Sequence, residues 1–95
     1  MDTNEAISKL QQIKPYLQQE YAVKRVGLFG STARGTHTKN SDVDILVEFE
    51  RPVGIEFIDL SYLLEKELNS KVDVVSFKGI KDKYFKEIEK DIVYV

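Results

Sequence analysis

Three aspartates and one Gly-Ser turn carry the chemistry open to this chain. Asp42 and Asp44 stand one residue apart in SDVDILVEFE, at the head of an alternating apolar stretch. Alternation along a strand puts both carboxylates on one face, one pleat apart. Two carboxylates that close repel each other, and burying either one uncompensated is costly. A divalent cation resolves the conflict, because Mg²⁺ prefers oxygen ligands and is typically held by one or two carboxylates plus substrate phosphates. A solvated strand face accounts for the pair equally well on its own. Asp73, in KVDVVSF, faces away from the valines that flank it. If its strand lies beside that of Asp42 and Asp44, three carboxylates converge. That is the donor set of a two-metal site for in-line displacement at phosphorus, with ions about 3.5–4 Å apart. Without such a neighbour, Asp73 is simply the outward residue of an edge strand.

The turn would supply what metals need, a phosphate. Gly30 lets the backbone approach a ligand closely. Ser31 would open a helical turn, its hydroxyl and the free N–H groups behind it aimed at an anion. Arg34 could add a charged fork for phosphate. The bland alternative is a serine-capped turn with a solvated arginine. His37 and Lys39, in the polar loop that follows, read as solvated residues. The five tyrosines, Tyr16, Tyr21, Tyr62, Tyr84 and Tyr94, read as packing residues at stripe positions or element ends.

The elements that must position these groups follow from hydrophobic spacing. Asp2 and Glu5 have capping-box spacing ahead of a helical stripe at Ile7, Leu10 and Leu17. Pro15 interrupts that stripe, which predicts a break near Lys14 and a second short helix to about Tyr21. Val23–Phe29 reads as a buried strand ending at Gly30, and residues 31–35 as a short helical turn. From Asp42 to Glu50 the pattern alternates, with Val43, Ile45, Val47 and Phe49 on one face and Asp42, Asp44, Leu46 and Glu48 on the other. Phe57, Leu60, Leu64 and Leu68 mark an amphipathic helix, Lys71–Phe77 a third strand, and Ile80, Tyr84 and Ile88 a last helix. Val93–Val95 can make a short terminal strand. One domain spanning 1–95 is expected, of α+β (α/β) class with a small sheet.

Composition narrows the function. The 95 residues carry a formal net charge of -2, which disfavours a general binder of nucleic acid. The chain has no cysteine, so disulfides and thiolate metal sites are excluded. No apolar run approaches the roughly 20 residues of a membrane span, and the N-terminus has no signal-peptide pattern. A cytoplasmic protein with no membrane partner is the expectation.

The spacing of Gly30-Ser31, ten residues (32–41) and then Asp42-Val43-Asp44 resembles the signature of the polymerase-beta-type nucleotidyltransferase superfamily. GLFGSTARG, SDVDILVEFE, PVGIEFIDL, KVDVVS and the closing IVYV resemble its minimal branch, and the likeness runs from about Tyr16 to Val95. The resemblance implies a small mixed sheet with helices packed mainly on one side. It implies that Gly30 and Ser31 bind the phosphates of a nucleotide, that Asp42 and Asp44 hold Mg²⁺, and that Asp73 completes the metal site and helps activate the acceptor hydroxyl. Two ions and ATP as substrate are implied with it. The reaction moves a nucleoside monophosphate onto a hydroxyl and releases pyrophosphate. Members of the minimal branch commonly pair with a HEPN-domain ribonuclease toxin, for which they are the antitoxin. Some inactivate it by transferring AMP to a tyrosine. Many relatives have a proline or small polar residue after the third strand, where this chain has Phe77-Lys78-Gly79.

The expected function is therefore a Mg²⁺-dependent AMP-transferring antitoxin of a HEPN toxin. Two other readings remain open at this point. The same fold could neutralise a toxin by binding alone, or transfer a nucleotide to a small-molecule hydroxyl such as an aminoglycoside. The absence of a second, acceptor-gripping lobe in the sequence disfavours the last.

Overall fold

A computed structural model describes all residues, Met1 to Val95. Helix α1 spans Thr3–Tyr21, strand β1 Val23–Phe29, the short helix α2 Gly30–Arg34, and strand β2 Val43–Phe49. Helix α3 (Glu56–Leu68), strand β3 (Val72–Ser76), helix α4 (Asp82–Ile88), a 3-10 turn at Glu89–Asp91 and strand β4 (Val93–Tyr94) complete the chain. The four strands form one sheet in the order β3-β2-β1-β4. β1 runs antiparallel to β2 and β4, while β2 and β3 are parallel. A parallel pair needs a crossover, which α3 provides.

The alternation of β2 sorts its residues to two different surroundings. Val43, Ile45 and Val47 are buried in the main core with Val26 and Leu28 of β1, Ala6, Leu10 and Leu17 of α1, and Leu60, Leu64 and Leu68 of α3. Each of these leucines contributes roughly 1.5–3 kcal/mol by leaving water. The opposite face carries a second, smaller cluster in which Phe29 and Leu46 meet Ile88 of α4. The two long helices thus share one face, and α4 covers part of the other. On the open remainder of that face, Arg25 of β1 bonds Glu48 of β2 at 2.7 Å. Its guanidinium lies 4.6 Å from the Phe77 ring centre and 5.0 Å from that of Tyr94. One side chain so links residues of, or just beyond, all four strands. Phe77 also packs against Phe85, ring centres 5.2 Å apart, so the segment that follows β3 anchors α4.

Caps and turns follow the local chemistry. The Asp2 carboxylate accepts from the Glu5 N–H at 2.7 Å. Asn69 closes α3 at φ 49° and Gly35 closes α2 at φ 75°, both left-handed positions.

Three expectations fail here. The predicted break at Lys14 is absent: α1 is one helix with Pro15 inside it. Pro15 and Gln11, whose carbonyl loses its donor, both lie on the exposed side, where water can replace the missing bond. Buried Leu10 and Leu17 hold the segments before and after it to the same core. The last helix starts at Asp82, after Ile80, and buries Ile88 while Phe85 packs beside it; Tyr84 is exposed. Of the five tyrosines expected to pack, only Tyr21 lies against the core. Tyr16, Tyr62, Tyr84 and Tyr94 are all exposed, because their positions lie on outer helix faces or on the open sheet surface.

Since the helix runs through Pro15, Pro15→Ala restores a backbone donor without disturbing a turn. It is expected to raise stability by about 1–3 kcal/mol, read from urea midpoints. A proline opening a separate helix would give no such gain.

Candidate active site

β2 and β3 bring two aspartates together through their register. Asp44 and Asp73 are direct partners across the parallel pair, so their side chains leave the same face of the sheet. On its other side Asp44 is the antiparallel partner of Phe29, the last residue of β1. The chain turns there through Gly30, at φ 71°. A methyl group on Gly30 would stand 2.9 Å from Asp44 Cγ and collide with its carboxylate oxygen. Glycine is therefore required twice, for the left-handed backbone and for the space the carboxylate fills. Gly30→Ala is expected to cost about 1–2 kcal/mol from backbone conformation alone. Displacement of Asp44 adds to this, and a thermal melt together with nucleotide titration would register both losses.

Burial pushes the Asp44 carboxyl up from 3.8 to about 6, and the negative charges of Asp73 and then Asp42 push the same way; nearby Arg34 opposes them. This is the conflict that the doublet in the sequence announced. Asp42 itself precedes β2 and is exposed. It lies on the rim of a cavity of about 330 Å³ formed with Lys39, Asn40, Ser41, Asn69, Ser70 and Lys71. Asp73 is exposed too. No three acidic or imidazole side chains close on one point tightly enough to hold an ion unaided. Two crowded carboxylates, one half-buried and more reluctant than usual to stay ionised alone, nevertheless suit a divalent cation that draws its remaining oxygens from a substrate. Asp42, Asp44 and Asp73 are the residues that would hold it.

α2 follows directly from Gly30. No side chain caps its N-terminus, and the first N–H groups of a helix have no intrahelical partner. The Ser31 carbonyl accepts from Thr36 N at 3.0 Å, and the Ser31 side chain is half-buried beside the turn. Thr32, the one fully buried polar residue, is held through its carbonyl by Thr3 Oγ1 at 2.5 Å, which ties the turn to α1. Arg34 is near enough to Asp44 to lower its pKa, and pairs with Asp91 of the 3-10 turn at 3.4 Å. Its fork is thus partly engaged by a carboxylate of the chain. His37, expected in solvent, instead bonds the Met1 carbonyl through Nε2 at 2.5 Å and pins the loop to the N-terminus.

Two neighbours of the site escaped sequence reasoning. Lys71 reaches the Asp42 rim because the Lys71 carbonyl accepts from Val43 N at 2.9 Å. Tyr84 comes within the field of Asp44 and Asp73, which after burial raise its pKa, because α4 packs on the Phe29–Leu46 face. Neither has a local signal, since both depend on long-range register. The larger cavity, about 540 Å³, lies at the other ends of β2 and β3 among Phe49, Phe57 and Phe77, away from the carboxylates.

The raised pKa has a consequence for stability. In the folded state Asp44 binds its proton up to about pH 6, whereas in the unfolded chain it releases it near pH 4. The native state therefore holds more protons across this window, and stability falls as pH rises through it. Partial exposure screens the effect to about 1 kcal/mol. Asp44→Asn is expected to exceed the wild type by that amount at pH 7 in chelator, with the advantage gone near pH 4, as read by denaturant melts.

Comparison with known proteins places the fold in a family. The family model described as "Nucleotidyltransferase domain" matches residues 10–95. MJ1379 of Methanocaldococcus jannaschii, provisionally named a protein adenylyltransferase, is 44% identical over 90 residues, 90% of each chain. The protein adenylyltransferase MntA of Thermococcus cleftensis is 40% identical over 83 residues, 86% of this chain and 84% of that one. A solved structure provisionally described as a minimal nucleotidyltransferase superposes with TM-score 0.84 at 28% identity, covering 98% of this chain and 95% of that one. A toxin–antitoxin crystal structure with AMP-PNP gives TM-score 0.71 at 25% identity, over 99% of this chain and 72% of that one.

Proposed function

Because this chain belongs to the nucleotidyltransferase-domain family and is a nucleotidyltransferase, we propose that it is the antitoxin of a HEPN-domain toxin and transfers AMP from ATP to a tyrosine hydroxyl of that toxin. The observation that carries the reading is the Asp44–Asp73 pair set against Gly30. It puts crowded carboxylates beside the uncapped start of α2, the two halves of a site for metal-bound triphosphate. The naming of the Thermococcus relative as a protein adenylyltransferase, and the AMP-PNP in a toxin–antitoxin complex of the same fold, support it.

In this reading the N–H groups at the start of α2 and the Ser31 hydroxyl bind phosphate oxygens of ATP. Gly30 lets the backbone approach them. Arg34, beside the same carboxylates, adds positive charge toward the phosphates. Asp42, Asp44 and Asp73 hold Mg²⁺, two ions by the number of carboxylates, and bound Mg²⁺ supplies charge neutralisation at the phosphoryl oxygens. An Asp73 carboxylate oxygen takes the proton of the acceptor hydroxyl as that oxygen bonds to the α-phosphorus. The bond from the α-phosphorus to the bridging oxygen breaks, and pyrophosphate leaves. Tyrosine suits this acceptor role because its hydroxyl, with a pKa near 10, loses its proton more readily than that of serine. A toxin and its antitoxin of this kind would meet in the cytoplasm. No helix of the chain is long and apolar enough to cross a membrane.

The test is to co-express the chain with a HEPN-domain toxin and weigh the intact toxin by mass spectrometry. A nucleotide-sized mass increase is expected, lost when the chain carries Asp42→Asn and Asp44→Asn. A toxin that stays unmodified yet is inhibited equally by wild type and variant would replace catalysis with neutralisation by binding.

A further inference from the structure

We propose that Tyr84 is a second acceptor built into the chain, and that the site transfers AMP to the Tyr84 hydroxyl in cis. This inference rests on the AMP-transfer reading above. α4 lies on the carboxylate face of the sheet, where Ile88 is buried against Phe29 and Leu46. Phe29 is the register partner of Asp44, and Leu46 is the next residue of β2 on the Asp44 face. Tyr84 precedes Ile88 by four residues, so it occupies the same side of α4, one turn of about 5.4 Å away. Phe85, held against Phe77, fixes the helix in this position. The tyrosine is 45% exposed, so its side chain is accessible from solvent. Its pKa is raised by burial first, and then by Asp44, Asp73 and Glu87, which puts the phenol within the field of the two site carboxylates.

The other tyrosines lack this position. Tyr62 belongs to α3 and Tyr16 to α1, the helices of the opposite face, and Tyr21 ends α1, stacked edge-on against Tyr16. Tyr94 belongs to β4, two strands away from β2, and lies against Arg25.

The transfer balances with ATP as the only co-reactant. Tyr84 Oη bonds to the α-phosphorus, the bond from that phosphorus to the bridging oxygen breaks, and pyrophosphate leaves with its electron pair. The phenolic proton passes to an Asp73 carboxylate oxygen and on to water. Electrons are neither gained nor lost. An AMP ester on Tyr84 would then stand where a toxin tyrosine must enter, so the modification would compete with the protein acceptor.

Two measurements test this. Purified chain is incubated with Mg²⁺ and ATP, and its intact mass and peptides are followed. A nucleotide-sized gain mapping to Tyr84 is expected, absent in Tyr84→Phe and in Asp44→Asn, with a first-order rate unchanged by about tenfold dilution. A gain that persists in Tyr84→Phe, or a rate that falls with dilution, overturns the proposal. The second readout needs no turnover. Mg²⁺ with AMP-PNP is expected to slow nitration of Tyr84 several-fold while Tyr16 and Tyr62 react as before. A Tyr84 left unprotected also overturns it. A chain that modifies its toxin but never itself sinks this inference and leaves the proposed function standing, whereas one that modifies neither sinks both.

Discussion

Repulsion between Asp44 and its like-charged neighbours is the constraint around which this small domain is arranged. Asp44 is half-buried, faces Asp73 across the parallel pair and has Asp42 two residues before it. Its pKa of about 6 expresses the cost of that placement. Nothing in the packing requires an acid there. Leu46, the next residue on the same face, is fully buried against Phe29 and shows what the position would hold if stability alone decided. A domain of this size has little stability to spare. Such a charge is tolerable because the main core lies wholly on the other face, where the leucines of α1 and α3 bury the sheet.

The sheet order turns this charge into a site. β2 is central, flanked by β3 on one side and β1 on the other. Its first turn of residues therefore meets the third aspartate on one side and the Gly30 turn on the other without any loop having to reach. α3 makes the parallel pairing of β2 and β3 possible, and that pairing alone sets Asp73 level with Asp44.

Much of this was legible in advance. The β1 limits, the α2 turn, the alternation of β2 and the α3 stripe all follow from local spacing, and the chain obeys them. The Gly-Ser and Asp-Val-Asp spacing pointed to the right family. The misreadings came where local rules meet tertiary surroundings. Pro15 should end a helix, but it sits on the exposed side between two buried leucines, so the core holds the helix through it. Tyr84 has helical spacing with Ile80 and Ile88, but the docking face of α4 is set by Phe85 and Ile88 and leaves the phenol outside the core. His37 lies in a polar loop, yet the N-terminus folds back to meet it.

The sequence by itself determined which face of each strand is apolar, where the chain turns, and that an acidic pair marks the head of β2, because these depend on residue parity and on backbone freedom at single positions. The structure then starts β2 one residue after Asp42, so only Asp44 leaves the strand itself. Only the tertiary structure decided that Asp73 stands level with Asp44, that Lys71 borders Asp42, that Arg34 is shared between Asp44 and Asp91, and that a tyrosine overlooks the carboxylates. Those placements arise from strand register and from how α4 docks. Both are settled by contacts between residues far apart in the chain, and no local pattern encodes them.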